Sequence, residues 1–173
     1  MFGGSLGASR LNEVVPQALL KMDVEQRPLI RHQAGVKNIE QAMSNYKAQN
    51  IKADVSAYID DMAEAYAWAD IVLCRAGAMT ISELAAAGVA SILVPYPHAV
   101  DDHQTANAKY LSDKNAAILL QQNELTPDYL LEILKAMTRE KTLEMANNAR
   151  QSGMPESTRL VTEQCLMEGG VIC

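Results

Sequence analysis

The sequence has few aromatic residues and few cysteines. Phe, Trp and Tyr make up 5% of the 173 residues, although 49% are hydrophobic, and this balance favours helices packed closely on a sheet over a β-sandwich. Cys74, Cys165 and Cys173 are far apart and odd in number, which argues against a disulfide framework or a CxxC zinc site. We therefore expect one α/β domain in a reducing, cytoplasmic compartment.

The chain also lacks runs of basic residues and long apolar runs. Its 15 Lys and Arg against 21 Asp and Glu give a net charge of -6, so nucleic acid is not an expected partner. No stretch reaches the roughly 18 apolar residues of a membrane span, and the first residues do not resemble a signal peptide. Membrane contact is expected to be peripheral, or to be made by residues outside this sequence.

Strand and helix patterns alternate along the chain. Strands are predicted at 29–33, 53–58, 71–74, 91–94 and 116–120, with helices between them. The helix at 61–68 is predicted to bury Ala63, Ala67 and Trp68. This alternation predicts a Rossmann-like parallel sheet with helices on both faces, in which ligands bind beyond the carboxyl ends of the strands. The turns expected there are 3–7, 58–62, 75–83 and 95–104.

Glycines at positions 3, 4 and 7 precede the first helix. Such a loop lets a phosphate approach the helix amino terminus, although a tight turn without ligand has the same pattern. The loop is neither a GxGxxG nor a Walker A motif, which disfavours nicotinamide and ATP. Only Met1 and Phe2 precede it, so we expect the chain to begin inside its own first strand, as a truncated fragment would.

Two later turns carry polar side chains. Glu83 is placed to accept both hydroxyls of a ribose, but the spacing alone favours a capping box with Thr80 at a helix start. His103 and Gln104 open another helix, where they suit sugar hydroxyls. Asp101 and Asp102 before them are expected to cap that helix rather than to bind a metal. His32 and His98 are interpreted as structural.

Taken together, seven segments resemble the MurG family of bacterial glycosyltransferases, which add N-acetylglucosamine to lipid I. The segments are 3–8, 32–35, 59–63, 69–70, 74–83, 87–88 and 95–104. The resemblance implies that residues 1–173 form one UDP-sugar-binding domain, the C-terminal half of a GT-B fold, with its first strand truncated and the N-terminal domain absent.

The resemblance also implies roles for particular residues. UDP-N-acetylglucosamine would be the donor, with no metal or cofactor. Ser5, with Gly4 and Gly7 of its loop, would contact the diphosphate, and the Ile59 backbone would hold the uracil near Met62. The remaining implied contacts are Ala78, Met79 and Thr80 for diphosphate and ribose, Glu83 for ribose, His103 and Gln104 for the sugar, and Arg75 for the turn or the phosphates.

No catalytic residue is assigned in this half. The resemblance implies inversion at the anomeric carbon by direct attack of the lipid I hydroxyl, forming lipid II for peptidoglycan synthesis at the cytoplasmic face of the inner membrane. The absent half would bind lipid I and the membrane, so this chain is expected to bind donor without turnover.

Three other readings are open. A natural donor-binding subunit of a split glycosyltransferase is disfavoured by the truncated first strand. A UDP-N-acetylglucosamine 2-epimerase would need catalytic carboxylates and histidines that cannot be assigned here, and a nicotinamide-dependent oxidoreductase would need the absent glycine fingerprint.

Overall fold

The computed structural model describes residues 1–2 and 8–168. The predicted glycine loop at 3–7 therefore lies outside the described residues. The strands are β1 Arg31–Gln33, β2 Asp54–Ser56, β3 Ile71–Cys74, β4 Ala90–Leu93 and β5 Ala117–Leu119. The helices are α1 Ser9–Leu20, α2 Ile39–Ala48, α3 Met62–Trp68, α4 Ala78–Ala87, α5 His103–Ser112, α6 Pro127–Ala136, α7 Arg139–Ser152 and α8 Ser157–Glu168. Short 3₁₀ turns occur at Val24–Gln26 and Val100–Asp102.

All strand pairs are parallel. β1 pairs with β2, and β4 pairs with both β3 and β5. Phe2 joins the two groups, because it forms parallel bridges with Gln33 of β1 and Cys74 of β3. The spatial order is thus β2-β1-Phe2-β3-β4-β5, the order of a doubly wound sheet when the segment at Phe2 counts as the first strand. The predicted Rossmann-like fold is confirmed.

A hydrophobic core lies on each face of the sheet. On one face α1 and α6 pack together, with Leu11 and Leu130 fully buried. On the other face α4 and α5 contribute Leu84 and Leu111. The apolar strand β3 serves both cores, since Leu73 belongs to the first and Val72 and Cys74 belong to the second. This strand therefore contributes to the core on both faces, as is typical of strands in a parallel sheet covered by helices.

The predicted buried side of α3 was wrong. Ala63 and Ala67 are exposed, Trp68 is 40% exposed, and Tyr66 is the buried aromatic residue of this helix. The Trp68 ring lies at the end of α3, 4.6 Å from the Arg31 guanidinium. This cation–π contact stabilises a partly solvated indole at the surface, whereas the prediction had placed it in the core.

The start of α4 also differs from the prediction. The helix begins at Ala78 with Gly77 as its N-cap, rather than at Thr80. Ala and Met are good helix formers, so the helix extends back through residues 78 and 79. Thr80 is then inside the first turn and makes no capping box with Glu83. The helix ends at Gly88, which adopts the left-handed conformation at φ 71°, as glycine commonly does just past a helix.

Candidate ligand site at the carboxyl edge of the sheet

The turns singled out in the sequence follow the carboxyl ends of the strands. In doubly wound folds the ligand crevice lies where the strand order reverses, which here is between Phe2 and β3. The turn after β3 leads into α4, and the turn after β2 leads into α3. The 3–7 loop, with the predicted contacts Gly4, Ser5 and Gly7, lies outside the described residues.

The stretch predicted to hold a base contains Ile59 and Met62. The Ile59 backbone N–H donates to Oε1 of Gln33 at 3.1 Å, and Gln33 is 4% exposed. Met62 begins α3 and is half-buried against the core that contains Leu84 and Leu111. A ligand that accepts a hydrogen bond from the Ile59 N–H would therefore share this donor with Gln33, or displace the Gln33 side chain from it.

The amino terminus of α4 presents unpaired backbone donors. The first hydrogen bond of the helix runs from the Ile81 N–H to the Gly77 carbonyl at 3.0 Å. The N–H groups of Ala78, Met79 and Thr80 precede it, so they have no acceptor within the helix. Together with the helix dipole they favour an anion at this end.

Glu83 lies on the second turn of the same helix. Its carboxylate is exposed and accepts a hydrogen bond from the Tyr66 hydroxyl, with 2.8 Å between Tyr66 Oη and Glu83 Oε2. Burial, and then the hydrogen bond to Glu83, raise the pKa of Tyr66 far above its ordinary value of 10. Tyr66 therefore remains a hydrogen-bond donor at neutral pH.

Arg75 connects the turn after β3 to the turn after β4. Its guanidinium donates to the carbonyl oxygens of Val94 and Pro95 at 3.2 and 3.0 Å and to Oε1 of Gln122 at 2.6 Å. Its charge also lies 5.5 Å from the centroid of the Tyr96 ring. Of the two roles that the sequence left open, these contacts favour stabilising the turns.

The predicted sugar contacts lie at the start of α5. Gln104 is half-buried, and its Oε1 accepts from the Tyr96 N–H at 3.0 Å, which leaves its amide N–H groups as donors. His103 is exposed at the first position of the helix. Asp102 precedes it in a left-handed conformation and accepts from the Thr105 hydroxyl at 2.7 Å. The predicted cap at Asp102 was wrong, because its side chain accepts no hydrogen bond from a backbone N–H of the helix.

Several residues that organise this edge were assigned no role from the sequence. Tyr66 looked like an ordinary helix residue, and Gln33 belongs to the 32–35 segment of the family resemblance but was given no contact. Their contacts join segments 17 and 26 positions apart. Asn107 is similar, since its Nδ2 donates to the Ala76 carbonyl from the next helix. In the sequence, the only sign of such a role is an amide or hydroxyl side chain in a strand or helix next to a predicted turn.

The described part of the chain also lacks a clustered metal site and a membrane-spanning helix. Residues 1–2 and 8–168 contain no group of three or more His, Cys, Asp or Glu side chains arranged to hold a metal ion. Among those residues, no helix has the length and apolar character needed to cross a membrane.

The strand order and the helix amino ends at the carboxyl edge of the sheet define a Rossmann-type α/β domain. Residues 1–161 match the model of the glycosyltransferase family 28 C-terminal domain. The chain belongs to this family.

Several bacterial proteins are similar to nearly the whole chain. Those of Cupriavidus pinatubonensis and Nitrosospira multiformis are 55% and 52% identical over 94% and 95% of the chain. Each is named UDP-N-acetylglucosamine–N-acetylmuramyl-(pentapeptide) pyrophosphoryl-undecaprenol N-acetylglucosamine transferase. The crystal structure of Acinetobacter baumannii MurG is 46% identical, with a TM-score of 0.87 over 94% of the chain. The chain spans about half the length of these proteins, 46% of each relative and 49% of the crystallised chain.

Proposed function

We propose that this chain is the donor-binding half of an inverting glycosyltransferase that transfers N-acetylglucosamine from UDP-N-acetylglucosamine to lipid I. The names of the relatives support this reaction. The observation that carries it is the arrangement on α4, where unpaired N–H groups at the helix start are followed on the next turn by the exposed carboxylate of Glu83. Unpaired N–H groups suit a diphosphate, and an exposed carboxylate suits the hydroxyls of its ribose.

The diphosphate is the leaving group of the reaction. As the lipid I hydroxyl attacks the anomeric carbon, the bond from that carbon to the UDP oxygen breaks and negative charge develops on the diphosphate. The N–H groups of Ala78, Met79 and Thr80, together with the helix dipole, stabilise that charge without moving. The proton of the attacking hydroxyl passes to a base for which we assign no residue in this chain.

The rest of the donor is assigned to the neighbouring turns. Glu83 accepts the ribose hydroxyls, the Ile59 backbone holds the uracil beside Met62, and Gln104 and His103 contact the sugar hydroxyls. Arg75 fixes the turns after β3 and β4. The 3–7 loop, including Gly4, Ser5 and Gly7, completes the diphosphate site.

The same proposal assigns donor binding and acceptor binding to two different domains. A preceding domain would bind lipid I at the cytoplasmic face of the membrane, and this chain alone would bind donor without turnover.

Calorimetric titration with UDP-N-acetylglucosamine, UDP-glucose, UDP and NAD tests the proposal. We expect UDP-N-acetylglucosamine to bind more tightly than UDP-glucose, and NAD not to bind. Glu83→Ala removes charge-assisted hydrogen bonds to the ribose, so the affinity for UDP should fall about 10- to 100-fold.

Glu132→Ala is the matched control, because Glu132 is an exposed glutamate on α6, on the opposite face of the sheet from α4. It should leave every dissociation constant unchanged. Equal affinity for all four ligands, or no binding of any of them, would refute the donor site.

A further inference from the structure

A hydrogen bond ties α3 to α4 beside the proposed ribose site. The Tyr66 hydroxyl donates to Glu83 Oε2 at 2.8 Å. The Tyr66 side chain is 6% exposed, and its ring packs edge-on against Phe2, with 6.1 Å between the ring centroids. The core therefore fixes the position of the hydroxyl, whereas the carboxylate that it contacts is exposed.

An exposed glutamate is a poor recognition group unless something holds it. Its side chain has several rotatable bonds, and a ligand that immobilises it must offset the lost conformational entropy. A carboxylate offers about four lone-pair positions. Tyr66 occupies one, so enough remain to accept both hydroxyls of a ribose from a carboxylate that is already oriented.

We propose that Tyr66 is a positioning residue for nucleotide recognition, and that its hydroxyl holds the Glu83 carboxylate in the orientation that accepts the ribose hydroxyls. This inference rests on the proposed function, because it requires Glu83 to bind ribose. Tyr66 itself does not touch the ligand. Since α3 begins at Met62, just after Ile59, the same bond fixes the base-binding turn relative to the ribose-binding helix.

The test compares how tightly the chain binds UDP and a UDP analogue without ribose hydroxyls. Tyr66→Phe keeps the buried ring and removes the hydroxyl. By calorimetry, the dissociation constant for UDP should rise about three- to tenfold, the cost of immobilising one long side chain. The constant for 2′,3′-dideoxy-UDP, which offers no ribose hydroxyl to Glu83, should stay unchanged. A general loss of packing would weaken the binding of both nucleotides alike, so it would leave the ratio of the two dissociation constants unchanged.

Tyr46→Phe is the matched control. It removes another buried tyrosine hydroxyl, which contacts His32 on the opposite face of the sheet, and should leave the ratio at its wild-type value. A second measurement places Tyr66→Phe in the Glu83→Ala background. No further loss of UDP affinity is expected there, because Tyr66 then has no carboxylate to hold.

The outcomes separate the two proposals. If the wild-type chain prefers UDP to the dideoxy nucleotide and Tyr66→Phe retains the full preference, the positioning role is overturned and the donor site stands. A further loss of UDP affinity in the double variant would also overturn it. If the wild-type chain binds both nucleotides equally, Glu83 does not bind ribose, and the donor-site assignment fails along with this inference.

Discussion

His32 is buried among hydrogen-bonding partners that fit a neutral imidazole. Its Nε2 lies 2.9 Å from Oδ1 of Asn12, and its Nδ1 lies 3.1 Å from the Tyr46 hydroxyl. The Asn12 amide donates to the Ala34 carbonyl, so its oxygen faces the histidine. The network thus assigns the proton to Nε2, with Tyr46 donating to Nδ1. The interpretation of His32 as a satisfied structural histidine agrees with these contacts.

This environment makes the stability of the fold depend on pH. Burial lowers the pKa of His32 from 6.5 to about 3, so the unfolded chain binds a proton between these values that the folded chain does not. Stability should therefore fall as the pH drops below 6.5. His32 alone should cost about 2 kcal/mol between pH 7 and pH 5.

Urea unfolding at pH 7 and pH 5 measures this effect. His32→Gln should lose less stability than the wild type over that interval, by the amount attributed to His32. His98→Gln is the control, because His98 is exposed in a loop, and it should follow the wild type. An unchanged pH dependence in His32→Gln would contradict the assignment.

At the scale of elements, α4 is held in place by α7. Gly153, just after α7, has its Cα so close to α4 that an added Cβ would lie 2.9 Å from the Ala85 carbonyl oxygen. Backbone atoms on both sides would have to move. Gly153→Ala should therefore lower the free energy of unfolding by about 1–3 kcal/mol, measured by urea or thermal unfolding.

Gly77→Ala is the comparison for this variant. A Cβ at Gly77 would lie 3.7 Å from Thr80 Oγ1, which is an ordinary contact. Its cost should stay at about 1 kcal/mol, the loss expected when a favoured N-cap residue is replaced by alanine, because no neighbouring atom has to move. Equal destabilisation by the two substitutions would show that the α4–α7 approach is not the cause.

Some element boundaries could be predicted from the sequence, and others depended on tertiary contacts. Gly88 ends α4 and Thr126 caps α6. Both signals can be recognised in a sequence, because a left-handed glycine and a threonine side chain act locally. The buried side of α3 depended on which face meets the sheet. Tyr66 and Trp68 are two positions apart and face differently, and a seven-residue helix has too little periodicity to distinguish them.

At the scale of the whole molecule, the candidate site is an assembly of turns brought together by the sheet. The alternation of strands and helices predicted a parallel sheet and hence a site at its carboxyl edge. The order of the strands required long-range pairing through Phe2. The roles of Glu83, Gln104 and Ile59 came from the family resemblance, whereas the contacts of Tyr66 and Gln33 emerged only from the fold, since each joins distant segments.

The central claim is that UDP-N-acetylglucosamine binds across the turns at this edge. Amide chemical-shift mapping of the ¹⁵N-labelled chain during titration with the nucleotide sugar tests it most directly. We expect the largest shifts at Ile59, at Gly77 to Thr80 and at His103 and Gln104, with α6 on the opposite face unaffected. Shifts confined to α6 and the residues around it, or no shifts at millimolar ligand, would contradict the account.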